Sequence, residues 1–198
     1  MNKTGQNIHP GWVRATHWLN AIAVTVLVLS GWKIYNATAF LGFVIPKPIT
    51  LGGWLGGALL WHFAAMWLFG FNGLLYLALN LGGGRLRYKF FPLSVRGVVH
   101  DLLQALRGIL SHDDPDRYNM VQRLAYLFVM VDAIVLVASG LVLWKSVQFP
   151  LLRELMAGYE SARLVHFGAM ALLVGFVAVH LVMVALVPRS LVLMVRGH

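Results

Sequence analysis

Residues 162–187 read ARLVHFGAMALLVGFVAVHLVMVALV, and the only charged side chain in this stretch is Arg163. A helix needs about 20 mostly apolar residues to cross the hydrocarbon core of a bilayer. The stretch therefore predicts a transmembrane helix. It also contains two histidines, His166 and His180, and an ionisable side chain inside a membrane span marks a candidate functional site.

Three further stretches have the same character, so four membrane spans are predicted. They cover residues 12–35, 50–80 and 119–144, and the whole chain, residues 1–198, is then a single transmembrane domain. The composition agrees, because 59% of the residues are hydrophobic and 12% are charged, against about 25% charged in soluble domains. Cysteine is absent, which excludes disulfides, Cys-ligated zinc and iron–sulfur clusters. We expect an all-α integral membrane protein, a four-helix transmembrane bundle.

The basic side chains predict how the four spans are oriented. Of the 16 Lys and Arg residues, eleven fall on the side of both termini and five on the other side. Because Lys and Arg are enriched in cytoplasmic loops, we expect both termini in the cytoplasm. The net charge of +9 is then an orientation signal, and no nucleic-acid partner is expected.

The loop between the second and third spans, residues 81–118, contains apolar residues at helical spacing. They are Val95, Val98, Val99, Leu102, Leu103, Leu106, Ile109 and Leu110, while the other face holds Arg96, Asp101, Gln104 and Arg107. This pattern predicts an amphipathic helix that lies on the cytoplasmic surface of the membrane. A lid over a membrane-side pocket is the alternative.

Four histidines lie inside the predicted spans, namely His17, His62, His166 and His180. Helix geometry places His166 and His180 on one face, about 21 Å apart along the axis. By depth, His17 pairs with His180 near the cytoplasmic side, and His62 pairs with His166 near the opposite side. A zinc site would need three or four converging ligands. Two imidazoles instead match the axial ligands of a six-coordinate haem, with hydrogen bonds between helices as the plainer alternative.

The two halves of the chain repeat each other. Residues 62–66 (HFAAM) parallel residues 166–170 (HFGAM), and Ser30-Gly31 parallels Ser139-Gly140. Two tandem two-helix units are therefore expected, related by an axis along the membrane normal. The positions equivalent to His17 and His180 hold tyrosines, so this asymmetry predicts two haems rather than three; these tyrosines are Tyr126 and Tyr76.

Residues 9–20 (HPGWVRATHWLN) resemble the opening of the bacterial di-haem cytochrome b family, and residues 118–124 (YNMVQRL) and 162–167 (ARLVHF) support the likeness. That family includes b-type subunits of hydrogenases and formate dehydrogenases. The resemblance is closest to the cytochrome b/b6-domain partners of periplasmic molybdopterin-dependent oxidoreductases. It implies a bacterial inner-membrane protein with two b-type haems, ligated at His17, His62, His166 and His180. It also implies electron exchange between the quinone pool and a periplasmic partner, either a molybdopterin enzyme or a hydrogenase-like one.

Several polar side chains near the expected membrane faces are candidate contacts for a quinone or for the haem propionates: Arg14, Asn20, His100, Arg123, Tyr126 and Arg163. Arginines that snorkel to the interface would look the same in the sequence. Asp132 departs from the family pattern in the middle of the third span. It is either a neutral, hydrogen-bonded acid or a proton-handling group.

These patterns favour an electron-transfer subunit of an oxidoreductase complex. Its expected partners in the membrane are lipid and quinone, and the quinone would be an exchangeable electron carrier. Two other functions stay open. One is a self-sufficient quinone oxidoreductase that takes electrons from a small soluble donor. The other is a haem-free transporter or scaffold that uses the histidines as proton relays. The sequence also leaves a homodimer open.

Overall fold

The computed structural model describes residues 10–82, 93–107 and 119–197, which form α-helices and connecting turns with no β-strand in these ranges. In chain order the helices are α1 (Gly11–Ala37), α2 (Leu55–Gly82), α3 (Val95–Leu106), α4 (Met120–Trp144), α5 (Pro150–Leu155), α6 (Tyr159–Leu186) and α7 (Pro188–Arg196), with a 3₁₀ turn at Lys47–Ile49. The chain divides into two compact units. The first comprises Met1–Gly83 with Leu193–His198, and the second comprises Gly84–Val192.

Four of these helices, α1, α2, α4 and α6, are long and apolar enough to cross a membrane. The all-α class and the four predicted spans are therefore confirmed. The helices expose large apolar side chains, with Leu60 at 72%, Ile134 at 66% and Phe71 at 64% exposure. Soluble monomers rarely expose contiguous apolar surface of this kind, whereas the lipid tails of a bilayer are a matching solvent for it.

The second span begins five residues later than predicted, because α2 starts at Leu55 rather than at Thr50. Gly52 and Gly53 have φ angles of +107° and +70°, in the left-handed region that favours glycine and that a right-handed helix excludes. A Cβ atom on Gly52 would lie 2.4 Å from the backbone of Ala58. Glycine at this position therefore lets the loop pass close to the first turn of α2.

In the first unit, α1 packs against α2, and the connection between them folds back onto the end of α1. The Tyr35 hydroxyl donates to the Phe43 carbonyl at 2.8 Å. The Asn36 side chain donates to the Ile45 carbonyl and accepts from the Ile45 N–H, both at 2.8 Å. These bonds satisfy backbone groups that no regular helix would pair, and so they hold the loop against α1.

In the second unit, α4 packs against α6, and α3 packs against the beginning of α4. Asn119 and Gln122 form a capping box at the N-terminus of α4. Asp101 of α3 accepts a 2.7 Å hydrogen bond from the Met120 N–H. Because the first N–H groups of a helix have no partner inside it, Asp101 and the capping box satisfy donors at the start of α4.

The loop between the second and third spans contains a helix, α3, over Val95–Leu106, where the sequence predicts an amphipathic helix. Ile109 and Leu110, which were included in the prediction, lie outside the described residues. The α3 residues Val95, Val99, Leu102 and Leu103 are exposed, as they would be in a helix whose apolar face rests on lipid. The side of the membrane on which α3 lies, and the alternative that it is a lid, stay predictions.

Candidate functional site

His62 of α2 contacts a serine–glycine pair on α1 within the first unit. Its ring nitrogen Nδ1 lies 3.1 Å from the Ser30 hydroxyl oxygen. A Cβ atom on the next residue, Gly31, would lie 3.5 Å from Cε1 of the same ring. The hydroxyl therefore fixes one edge of the imidazole, and the ring lies beside Gly31, where an added Cβ would make an ordinary van der Waals contact.

His166 of α6 has the same arrangement in the second unit. Its Nδ1 lies 2.9 Å from the Ser139 hydroxyl oxygen on α4, and a Cβ on Gly140 would lie 3.3 Å from its Cε1. Ser30 and Ser139 are both fully buried, at 0% exposure. The repeat that residues 62–66 and 166–170 indicate in the sequence is therefore also a repeat of three-dimensional contacts.

The serine hydrogen bonds assign the proton of each imidazole. The Ser30 hydroxyl donates to the Val26 carbonyl at 2.6 Å, and the Ser139 hydroxyl donates to the Val135 carbonyl at 2.6 Å. A hydroxyl has one proton, so each serine oxygen is left to accept a hydrogen bond from the histidine Nδ1–H. A neutral imidazole protonated at Nδ1 carries its lone pair on Nε2, which is the form that binds a metal.

The other two candidate ligands have aromatic neighbours. His17 of α1 is half-buried, and its ring meets Trp18 edge-on at a centroid distance of 5.5 Å. His180 of α6 is exposed, and its ring stacks on Phe176 at 6.1 Å with an interplanar angle of 8°. The predicted pairs His17/His180 and His62/His166 each take one histidine from each unit, so both pairings stay predictions.

The donors fit a haem better than a bare metal ion. In the ranges that the structure describes, no three His, Asp or Glu side chains gather where they could hold an ion together. A haem supplies four equatorial nitrogens and needs only axial ligands from the protein. Imidazoles oriented by an acceptor on Nδ1 and approached closely by glycine are suited to that role.

A polar network is made of the buried Thr16 and Asn72 and the half-buried Asn20, and Thr16 is the neighbour of His17 in the sequence. The Asn72 Nδ2 donates to the Thr16 carbonyl at 2.8 Å and to Asn20 Oδ1 at 2.7 Å. Asn72 is 5% exposed, and no donor among the described residues reaches its Oδ1. Sequence reasoning identified Asn20 but missed Asn72. The sequence signal that could have identified Asn72 is its amide side chain, which lies in a predicted span without Asp, Glu, Lys or Arg.

Asp132 lies in the interior of the second unit at 5% exposure. It precedes Ser139 by seven residues, or about two helical turns, and so lies on the same face of α4. Within the described part of the chain, no donor reaches its Oδ2 atom. The structure thus shows a buried carboxyl group and leaves both predicted roles open.

The remaining predicted contact residues are dispersed over the two units. In the first unit, Arg14 donates from Nη1 to the Val195 carbonyl at 2.7 Å, close to the end of the chain. In the second, Arg163 pairs with Glu160 at 2.8 Å, and the largely exposed His100 lies 3.4 Å from Asp101. Tyr126 is 39% exposed and Arg123 is half-buried. A role for any of these residues toward quinone or propionate stays a prediction.

Comparison with known proteins supplies the family context for these contacts. Residues 8–197 match a family model described as prokaryotic cytochrome b561. The chain is also 64% identical over its full 198 residues, and over the full length of the relative, to a protein of Azospira oryzae. That relative is named "Putative protein-methionine-sulfoxide reductase subunit YedZ1".

Proposed function

This chain belongs to the prokaryotic cytochrome b561 family, and we propose that it holds two b-type haems and carries electrons across the membrane to a periplasmic oxidoreductase. The family itself implies a membrane-bound b-type cytochrome that functions in electron transfer. The number of haems, their ligands, the quinone and the partner belong to the proposal. The observation that carries it is the matched serine–glycine–histidine contact in the two units.

His62 and His166 would together hold one haem, and His17 and His180 would hold the other. When bound, each haem would supply a one-electron Fe(III)/Fe(II) couple. The chain contributes the orientation of the ligands. Ser30 and Ser139 hydrogen-bond Nδ1 of His62 and His166. The imidazole rings lie beside the adjacent glycines of α1 and α4.

The distribution of basic residues supports the proposed direction across the bilayer. With both termini in the cytoplasm, His62 and His166 lie toward the periplasm, and His17 and His180 lie toward the cytoplasm. The haem at His62 and His166 is then nearer to a periplasmic partner. The haem at His17 and His180 is nearer to quinone on the cytoplasmic side.

The proposed partner is a periplasmic molybdopterin enzyme that reduces protein methionine sulfoxide. The name of the Azospira relative, a subunit of a protein-methionine-sulfoxide reductase, supports this partner, and the 64% identity extends over the whole chain. Reduction of a sulfoxide to a thioether takes up two electrons and two protons and releases water. The partner would therefore need two electrons for each sulfoxide, and quinol is their proposed source.

On the quinone side, the proposed contact with most structural support is Asn20, because it belongs to the buried network with Thr16 and Asn72. Its carboxamide oxygen is occupied by Asn72, which leaves its amide hydrogens as donors toward a quinone carbonyl. The other proposed contacts on this side are Arg14, His100, Arg123 and Tyr126. Arg163 is proposed as a propionate contact on the opposite side.

The first experiment measures the haem content of the purified chain. We expect a reduced-minus-oxidised spectrum of b-type haem and a pyridine haemochrome value of two haems per chain. Absence of haem absorbance would overturn the proposal in favour of a transporter or scaffold. A ratio of one haem per chain would show that one histidine pair is misassigned.

A second experiment tests the partner by reconstituting the chain with quinol in liposomes. We expect quinol oxidation to depend on the added periplasmic enzyme and on a sulfoxide substrate such as oxidised methionine in a peptide. Quinol turnover that couples to a small soluble redox compound with no second protein would instead establish a self-sufficient quinone oxidoreductase.

A further inference from the structure

We propose that Ser30 and Ser139 are positioning residues that fix the tautomer of His62 and His166 and lower the reduction potential of the haem these histidines share. The inference rests on the proposed function, because it assumes that haem. It goes further by assigning a redox role to two residues that do not touch the iron. Each serine–histidine contact lies within one unit, and the sharing of one haem by the two histidines is taken from the proposed function.

The first step is the allocation of protons on the serine hydroxyls. Ser30 Oγ lies 2.6 Å from the Val26 carbonyl and 3.2 Å from the Leu27 carbonyl, and Ser139 Oγ lies 2.6 Å from Val135 and 3.2 Å from Leu136. The single hydroxyl proton is therefore directed at backbone oxygen in both cases. The serine oxygen can only accept a hydrogen bond from the imidazole, so Nδ1 keeps its proton. Nε2 then carries the lone pair that would bind the iron.

The second step is the constraint on the ring. A Cβ atom at residue 31 or 140 would lie 3.5 or 3.3 Å from the histidine Cε1. The imidazole therefore lies beside the glycine of the neighbouring helix on the side of Cε1, while its Nδ1 is bound to the serine. The hydrogen bond at Nδ1 orients the ring, as partners of metal-binding histidines do.

The third step is the electronic consequence. An acceptor on Nδ1–H makes the imidazole a more basic ligand. A more basic ligand stabilises Fe(III) relative to Fe(II), so each serine lowers the reduction potential of its haem. Hydrogen bonds around the ligands are one of the means by which a protein sets that potential.

The fourth step separates this role from plain helix packing. Thr25 in α1 makes the same type of hydroxyl bond to the carbonyl four residues earlier, at 2.8 Å, but its side chain is exposed. Such back-bonding slightly destabilises a helix. Alanine at residues 30 and 139 would fill most of the space without that cost, so the gain from serine lies in its contact with the histidine.

The test is a spectroelectrochemical titration of the two haems in Ser30→Ala, Ser139→Ala and the double variant. Both single variants should raise the potential of the same haem, the double variant should raise it further, and the second haem should not move. A tenfold change in the Fe(III)/Fe(II) equilibrium corresponds to about 59 mV for one electron. Ser30→Thr and Ser139→Thr keep a hydroxyl group at these positions. Their haem potential should therefore lie closer to that of the natural chain than the potential of the alanine variants does.

The matched control is Thr25→Val, which removes a back-bonded hydroxyl of the same kind and should leave both potentials unchanged. If an alanine variant loses its haem, Ser30→Cys and Ser139→Cys preserve the side-chain shape with a weaker acceptor and should raise the same potential. Full haem content with unchanged potentials in the alanine variants would overturn this inference and leave the proposed function standing. If the Ser30 and Ser139 variants shifted the potentials of two different haems, the assignment of His62 and His166 to one haem would be wrong. A natural chain without haem would overturn both proposals.

Discussion

The helix pairs α1–α2 and α4–α6 are alike at one end and different further along. Both hold a histidine against a buried serine and its neighbouring glycine, with Nδ1 to Oγ distances of 3.1 and 2.9 Å. Elsewhere the first pair buries the network of Thr16, Asn20 and Asn72, while the second buries Asp132 alone with an oxygen that no described donor reaches. The comparison separates one geometry that the two pairs share from buried polar groups that differ between them.

The largest effect is expected from removing the histidines of the repeated contact. His62→Ala and His166→Ala should each lower the haem content from two to one per chain, and both should remove the same haem. The reason is that the proposed function assigns both imidazoles to one haem. Pyridine haemochrome assays with low-temperature difference spectra measure the content and identify the haem that remains. Loss of different haems in the two variants would contradict the shared assignment.

Replacing the glycines of the repeated contact should have the next largest effect. The size of the effect is expected to differ between the two helix pairs. A Cβ at residue 140 would lie closer to its histidine than one at residue 31, at 3.3 against 3.5 Å. Gly140→Ala should therefore reduce haem retention on heating more than Gly31→Ala. Gly175→Ala is the control, because nothing lies within 4 Å of its Cβ position and alanine favours a helix by about 1 kcal/mol. Equal losses in all three variants would argue against ring contact as the cause.

Replacing the buried polar groups that differ between the helix pairs, Asn72 and Asp132, should have a smaller effect on stability. The two substitutions should differ in size. Asn72→Leu removes two hydrogen bonds, and one such bond in a membrane protein is worth about 0.6 kcal/mol, up to about 1.7 kcal/mol. Asp132→Leu removes an acidic side chain with one buried oxygen that no described donor reaches, so its cost should be lower. Thermal unfolding in detergent compares the two variants. A larger destabilisation by Asp132→Leu would reveal a bound partner for that carboxyl group.

The smallest effect is expected at the helix starts. The α4 helix has the Asn119 capping box, whereas α1 begins after Pro10 without a side-chain cap. Asn119→Ala should destabilise the second unit by about 0.5 kcal/mol, the low end of the range for a lost N-cap, because the two cap hydrogen bonds are exposed to solvent. Thermal unfolding of Asn119→Ala, compared with Pro10→Ala, checks this difference. Equal melting temperatures in the two variants would show that packing, and not the cap, fixes the start of α4.

Much of the architecture follows from the sequence because it depends on local composition. Long apolar stretches predicted the four spans, and apolar spacing predicted α3. The end of the loop before α2 was misplaced because the apolar residues Leu51 and Trp54 flank the glycines, and only backbone conformation reveals the turn at Gly52 and Gly53.

The contacts of the candidate site were less accessible from sequence. The repeat identified Ser30-Gly31 and Ser139-Gly140 as equivalent, but not as partners of the histidines. Ser30 and His62 are 32 residues apart, and their meeting depends on how α1 and α2 are rotated against each other. Asn72 was missed for the same reason, because a buried amide becomes informative only when its partners on α1 are known.

The serine hydroxyls also bear on proton movement. An imidazole that relays protons must release one from one nitrogen while it takes up another at the other nitrogen. At His62 and His166 the Nδ1 proton faces an oxygen whose own proton is already given to the backbone. Each relay step would have to break that backbone bond first, at a cost of about 1 kcal/mol. A proton relay through His62 or His166 would therefore require the serine hydroxyl to turn away from the backbone carbonyl, whereas a haem held by these histidines would leave that hydrogen bond intact.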